Sequence, residues 1–119
     1  MAWAIAPVEA WRQVMTGYDP PDAIVDDTGA GYPAEVDRAW RALCQEKGLY
    51  AEGGQLLVTG AHPDIPWVLV TDDGIGDVAA HLADRPGEPD FLLAAPGGTG
   101  LCGVSTEEAG VLLFHRNVD

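Results

Sequence analysis

Cys102 and His115 are the residues of this chain that could do nucleophilic chemistry together. A cysteine becomes a catalytic nucleophile when a histidine within hydrogen-bond reach takes its proton. Both residues fall in predicted strands, so they meet if those strands are neighbours. In a strand His115 shares a face with Val111 and Leu113, which places it beside the core, where a backbone hydrogen bond also explains a buried histidine. The pattern leaves open a small enzyme or a ligand-binding module with a pocket near His115 and Cys102.

Two clusters of carboxylates could bind a basic partner. The first lies in a long connection, and Tyr18 could serve there as an aromatic anchor. The second follows a predicted strand. The candidate partner-binding residues are Tyr18, Asp19, Asp22, Asp26, Asp27, Asp72 and Asp73.

The second cluster, residues 72–77, also has carboxylates close enough to hold a hard cation such as Ca²⁺. A calcium loop that starts at Asp72 would need a bidentate Glu at its twelfth position, and that position is Ala83. A turn followed by Asp77 as a helix N-cap explains the pattern better. No histidine pair has metal-ligand spacing either, so we expect no metal site.

Residues 98–103 spell a G-x-G-x-x-G motif after a predicted strand. A dinucleotide fingerprint would open a long helix and be followed by an acidic residue about 20 positions later, at the end of the next strand. Only residues 104–119 remain, and most of them are typical of turns and strands. A glycine-rich hairpin loop therefore explains the motif, and we expect no nucleotide or other cofactor. Other catalytic signatures are also missing, which favours a protein that is not an enzyme.

The charge balance limits the possible partners. The chain of 119 residues has 19 acidic and 6 basic side chains, for a net charge of −13. Nucleic acid is excluded as a partner because phosphate binding needs clustered Lys and Arg. An anionic membrane surface would repel the chain for the same reason. The acidity serves either solubility or the steering of a basic protein partner.

Cysteine usage and the start of the chain predict a cytoplasmic protein. Cys44 and Cys102 are too few for a disulfide framework, so we expect two small buried thiols. Residues 1–6 are apolar but lack the basic stretch of a signal peptide. No apolar run approaches the roughly 18 residues of a membrane-spanning helix.

Hydrophobic periodicity predicts the elements that must position these residues. Amphipathic helices are expected at 7–16 and 33–47. They are joined by a long connection with an extended piece at 23–25. Further along the chain we expect strands at 55–59, 67–71, 91–95, 101–104 and 111–116, a short helix at 77–84 and a helical turn at 105–108.

These elements indicate a single α+β domain over residues 1–119. We expect two N-terminal helices packed on a mostly antiparallel sheet of four to five strands, with one short inserted helix. The strand at 67–71 is apolar on both faces, which predicts a central position in the sheet.

Three functions compete on this evidence. The leading hypothesis is a small acidic, non-catalytic binding protein that captures and inhibits a basic protein, as a bacterial immunity protein or antitoxin does. The first alternative is the enzyme or ligand-binding module near His115 and Cys102. The second is a structural or assembly subunit, which would form a homo-oligomer.

Overall fold

The computed structural model describes residues 6–15, 20–29, 31–60, 66–74, 76–85, 88–97, 100–108 and 110–117. Two helices occur in this part of the chain, α1 (Pro7–Met15) and α2 (Tyr32–Glu46). Neither is long and apolar enough to cross a membrane. The strands are β1 (Ala23–Val25), β2 (Gln55–Gly60), β3 (Val68–Thr71), β4 (Ala83–Arg85), β5 (Glu88–Pro89), β6 (Phe91–Ala94), β7 (Gly100–Glu107) and β8 (Gly110–Asn117).

The strands form a six-stranded antiparallel sheet in the order β1-β8-β7-β6-β2-β3, and β4 pairs with β5 in a separate ribbon. The α+β class is confirmed, but the predicted count of four to five strands is wrong. The sheet gains its extra strand because β1 pairs with β8, with Ala23 opposite Leu113 and Val25 opposite Val111. Three residues suffice for this pairing because β8, with eight residues, extends beyond them on the sheet.

The sheet buries both of its faces. Helix α2 packs Trp40 and Cys44 on one face, and α1 packs Ala10 and Val14 on the other. Because successive side chains of a strand point to opposite faces, β6 contributes Leu93 to the α2 side and Leu92 to the α1 side. All four residues of β6 are buried, so β6 is a central strand.

The strand predicted to be central, at 67–71, lies at an edge of the sheet. Strand β3 is the last of the six, and Val68 and Leu69 are 52% and 53% exposed. The prediction was wrong because apolar residues on both faces are equally compatible with a strand buried on both faces and with an uncovered edge.

The helix predicted at 77–84 is replaced by one turn followed by β4. The N–H groups of His81 and Leu82 both donate to the Val78 carbonyl, and no further helical turn follows. The reason is tertiary. The buried Asp37 carboxylate of α2 accepts the N–H groups of Val78 and Ala79, and the Ala79 N–H is one that Asp77 would have accepted as a helix N-cap.

The helical turn predicted at 105–108 is also absent from the structure, since β7 runs on to Glu107. Ser105 lies opposite Leu112 in the β7–β8 hairpin, and its hydroxyl donates to Glu107 at 2.9 Å. The strand ladder with β8 therefore forms in place of the helical turn, because it satisfies the same backbone groups across the hairpin.

Gly103 sets how closely α1 can approach the sheet. A Cβ atom at this position would lie 2.4 Å from Cγ1 of Val14, which is 1% exposed. Valine is stiff at χ1, so the helix itself would have to move.

We expect Gly103→Ala to lower the free energy of unfolding by about 1 to 3 kcal/mol, measured by chemical denaturation. Gly29→Ala, where nothing lies within 4 Å of the added Cβ, is the matched control. Equal stability of the two variants would contradict this packing.

Candidate functional site

The Asp72 carboxylate accepts hydrogen bonds from α2, from the connection between α2 and β2, and from its own loop. Arg41 donates to it through Nη2 at 3.0 Å and Nε at 3.1 Å. The Tyr50 hydroxyl and the Gly74 N–H donate as well. The Arg41 and Asp72 side chains are only 16% and 7% exposed. The charge of Asp72 is therefore neutralised inside the protein.

Opposing effects set the protonation of this group. Burial alone would raise the pKa of Asp72, but the hydrogen bonds from Arg41 and Tyr50 outweigh burial and hold that pKa below its ordinary value. Burial and the neighbouring carboxylate both raise the pKa of Tyr50. At neutral pH Asp72 is ionised and Tyr50 is a neutral hydrogen-bond donor.

A second buried carboxylate fixes the loop that faces this ion pair. Asp37 is 5% exposed and accepts hydrogen bonds from the Trp40 indole at 2.8 Å and the Ala79 N–H at 2.9 Å. Arg41 adds a hydrogen bond to the Gly76 carbonyl at 2.7 Å and lies over the Trp40 ring. The turn after β3 is thus attached to α2 from two sides.

Arg41 and Asp72 line two cavities. The smaller, of about 370 Å³, lies between α2, the β2–β3 edge and the turn after β3. Its walls are mainly apolar and include Trp40, Leu56, Val58, Val70, Val78, Leu82 and Leu93; Asp73, Asp77 and His81 also line it. The larger, of about 740 Å³, is an open groove against the outer side of α2, lined by Arg38 and Gln45 among others.

The first acidic patch predicted from the sequence lies at and beside β1. Asp22 is exposed, and its carboxylate accepts the backbone N–H of His115 at 2.7 Å. Asp26 is exposed and accepts both the N–H and the hydroxyl of Thr28, which lowers its pKa. Asp27 is half-buried. Tyr18 and Asp19 lie outside the described residues.

The structure does not bring the two predicted patches together. The first adjoins β1 and the second follows β3, and these strands form opposite edges of the sheet with four strands between them. Within the second patch Asp72 is turned inward, whereas Asp73 is exposed and accepts the Gly76 N–H at 3.0 Å. The exposed Asp77 lies beside Asp73 at the cavity and was predicted only as an N-cap.

Sequence reasoning missed Arg41 and Tyr50. Asp72 is 31 residues from Arg41 and 22 residues from Tyr50, so no local pattern connects them. The one available signal was the position of Arg41 directly after the buried Trp40, which places a long cation at the border of the apolar stripe of α2.

Cys102 and His115 lie directly opposite each other in the β7–β8 hairpin. The Cys102 side chain is 1% exposed and contacts Cys44, and a hydrogen bond between the thiols together with burial raises the pKa of Cys44. Burial and Lys47 lower the pKa of His115, whereas Asp22 opposes this effect. Neither cavity described above is lined by this pair. The arrangement provides proximity, but both cysteine side chains are enclosed in the core.

Within the described residues no group of three or more His, Cys, Asp or Glu side chains could hold a metal ion. The chain matches no protein-family model, and no curated protein or solved structure is significantly similar to it. Function must therefore be inferred from the chemistry of the site itself.

The buried ion pair leads to a stability prediction. Asp72→Asn leaves the Arg41 guanidinium without its counter-charge, so we expect the free energy of unfolding to fall by about 2 kcal/mol in chemical denaturation. Glu35→Gln breaks the exposed pair with Arg38, whose side chains are 57% and 70% exposed. That control should cost less than about 1 kcal/mol.

The same prediction has a pH dependence. A depressed pKa makes the stabilisation by Asp72 fully present above the pKa of the unfolded carboxyl, near about 4, and lost as the pH falls through the folded value. The stability difference between the wild type and Asp72→Asn should therefore shrink in acid. A difference that stays constant from neutral pH into acid would contradict the ion pair.

The charges around His115 should move its pKa in opposite directions. Lys47→Gln removes a cation that disfavours the imidazolium, so the pKa of His115 should rise. Asp22→Asn removes the opposing carboxylate, so that pKa should fall. NMR titration of the His115 ring protons measures both shifts. Shifts of the same sign in the two variants would contradict the described arrangement.

Proposed function

We propose that this protein is a non-catalytic acidic binding protein that captures a basic protein partner and inhibits it, in the manner of an immunity protein or an antitoxin. The observation that carries the proposal is the pairing of the arginine side chains within the protein. Each of the four arginine side chains that the structure describes contacts a group of the protein itself, and the exposed carboxylates of the described residues greatly outnumber the remaining cations there.

Four arginine side chains already contact groups of the protein. Arg12 pairs with Glu9, Arg38 with Glu35 and Arg41 with Asp72. Arg116 lies over the ring of Phe114, with 5.3 Å between the guanidinium carbon and the ring centroid. Few positive charges are left to balance a net charge of −13. Repulsion among the other carboxylates costs stability, and a basic partner would relieve it.

Nine exposed carboxylates occur among the described residues, and they are spread over the helices, the strands and the connections between them. They are Asp22, Asp26, Glu35, Glu46, Glu52, Asp73, Asp77, Glu107 and Glu108. A field of one sign accelerates association with a protein of opposite charge and disfavours acidic competitors. Such a surface suits a protein that masks the basic active site or nucleic-acid-binding face of its target.

The alternative of an enzyme near His115 and Cys102 stays a prediction with less support. Their direct pairing in the sheet favours it, but the burial of Cys102 in the core does not favour nucleophilic chemistry. The assembly-subunit alternative also stays a prediction. A net charge of −13 opposes self-association at low salt, which favours a partner of opposite sign.

Affinity capture from the lysate of the source cells at low and high salt tests this proposal. We expect one stoichiometric basic protein, identified by mass spectrometry, that is captured quickly at low salt and slowly at high salt. If it is a toxin enzyme, adding the acidic protein should abolish its activity. If no protein is retained at either salt, the proposal fails.

The contribution of the first patch can be measured on the captured partner. The triple variant Asp22→Asn, Asp26→Asn and Asp27→Asn should slow association about tenfold at low salt and have little effect at high salt. The variant Glu46→Gln, Glu52→Gln and Glu108→Gln removes the same charge elsewhere and is the matched control. Equal slowing by both variants would show that overall charge, and not this patch, steers the partner.

A further inference from the structure

Strand β3 is an uncovered edge of the sheet. In the described part of the chain its inner side pairs with β2 and no strand pairs with its outer side. Val68 and Leu69, both more than half exposed, extend its apolar surface to the two faces of the sheet. No Pro or charged residue interrupts Val68–Thr71 to block a further strand.

The backbone groups available on this edge follow from the β2–β3 ladder. The Asp72 N–H donates to the Gly54 carbonyl at 2.9 Å, so the backbone of Asp72 faces β2. Because inward- and outward-facing residues alternate along an antiparallel strand, Val70 also faces β2, whereas Leu69 and Thr71 turn their N–H and C=O groups outward. An extended segment placed here would pair with two residues of β3.

The 370 Å³ cavity opens directly beside this edge. Val70 and Thr71 of β3 line it, and Trp40, Leu56 and Leu93 form its buried inner wall. Residues opposite each other in a sheet share a face. A side chain opposite Val70 on an added strand would therefore project to the α2 side, next to the cavity.

The charge beside the cavity is negative. Asp73 and Asp77 are exposed there, while Arg41, which also lines the cavity, is paired with Asp72. The edge thus offers backbone pairing, an apolar cavity and two carboxylates side by side, which are the three elements of recognition by strand addition.

We propose that β3 and the adjoining cavity dock an extended basic segment of a protein partner, which adds to the sheet as a seventh strand. An apolar side chain of that segment enters the cavity, and Lys or Arg side chains beside it pair with Asp73 and Asp77. A second copy of this chain would bring a further −13 of charge to the same edge, so a basic partner is the occupant that the charges favour. The inference rests on the proposed function and names its contact surface.

A lysine–valine alternating peptide tests the docking surface, with a glutamate–valine peptide as the charge control. Titration of the isotope-labelled protein in NMR should shift the amides of Val68–Thr71 and the Trp40 indole N–H. The Leu69 and Thr71 amides should become protected from hydrogen exchange, because they point outward and would bond to the added strand. The glutamate peptide should leave the spectrum unchanged.

Two substitutions at one position separate backbone pairing from side-chain contact. Leu69→Pro removes an outward N–H while leaving the β2–β3 ladder intact, and should weaken binding of the lysine peptide about three- to tenfold relative to Leu69→Ala. Circular dichroism checks that both variants fold. Equal binding by the two variants would overturn the strand-addition step.

A double variant tests the contribution of the two exposed aspartates to binding. Asp73→Asn with Asp77→Asn should weaken the lysine peptide at low salt by about threefold or more, whereas Glu46→Gln with Glu108→Gln should have a smaller effect. Equal weakening by both pairs would overturn the role of the two aspartates.

The outcomes also separate this inference from the proposed function. Peptide shifts confined to Asp22–Asp27 and unaffected by Leu69→Pro would overturn the docking surface while leaving an acidic binding protein in place. Self-association in sedimentation that Leu69→Pro abolishes would make a second copy the occupant and overturn the basic partner. If no lysate protein is captured, the proposed function itself fails, whatever the peptide shows.

Discussion

The bidentate ion pair between Arg41 and Asp72 is the contact on which the arrangement of this surface depends. It joins α2 to the end of β3 across 31 residues of chain, and Tyr50 bonds the connection between α2 and β2 to the same carboxylate. Removing two charges from water is costly, and the bonds to Asp72 offset that cost because each of its oxygens accepts more than one donor. Both residues of the pair also line the two cavities, so its position contributes to the shape of each.

Asp37 complements this contact from inside the helix. A buried carboxylate with three N–H donors acts as an N-cap supplied by another element, and it holds the turn after β3 without a helix forming there. The turn is therefore held at backbone groups, which leaves the Asp73 and Asp77 side chains exposed. This explains how a short, irregular segment can present carboxylates at a fixed position beside a cavity.

The sequence predicted the limits of the helices and strands better than the tertiary contacts around them. Both helices and the strands around Leu56, Phe91 and Val111 lie close to their predicted limits, because hydrophobic periodicity and glycine boundaries are local signals. The helix at 77–84 and the turn at 105–108 failed for a tertiary reason, since Asp37 and the β7–β8 ladder satisfy the groups that a local cap would have satisfied. For the same reason Asp72 could be recognised as a carboxylate in a loop but not as the buried partner of Arg41.

The distribution of charge follows from how few cations the chain has. Arg41 is placed where desolvation would be most costly without a counter-ion, and Arg12 and Arg38 are held by carboxylates one helical turn away. The carboxylates at the β1 and β3 edges, such as Asp22 and Asp73, accept backbone N–H groups, and their side chains stay exposed at the surface. At an exposed sheet edge this has two effects, because like charges discourage pairing between copies of the chain while the backbone groups of β3 stay available. Under the proposed strand addition, such an edge disfavours a second acidic copy and favours a strand of opposite charge, so that acidity contributes to partner choice.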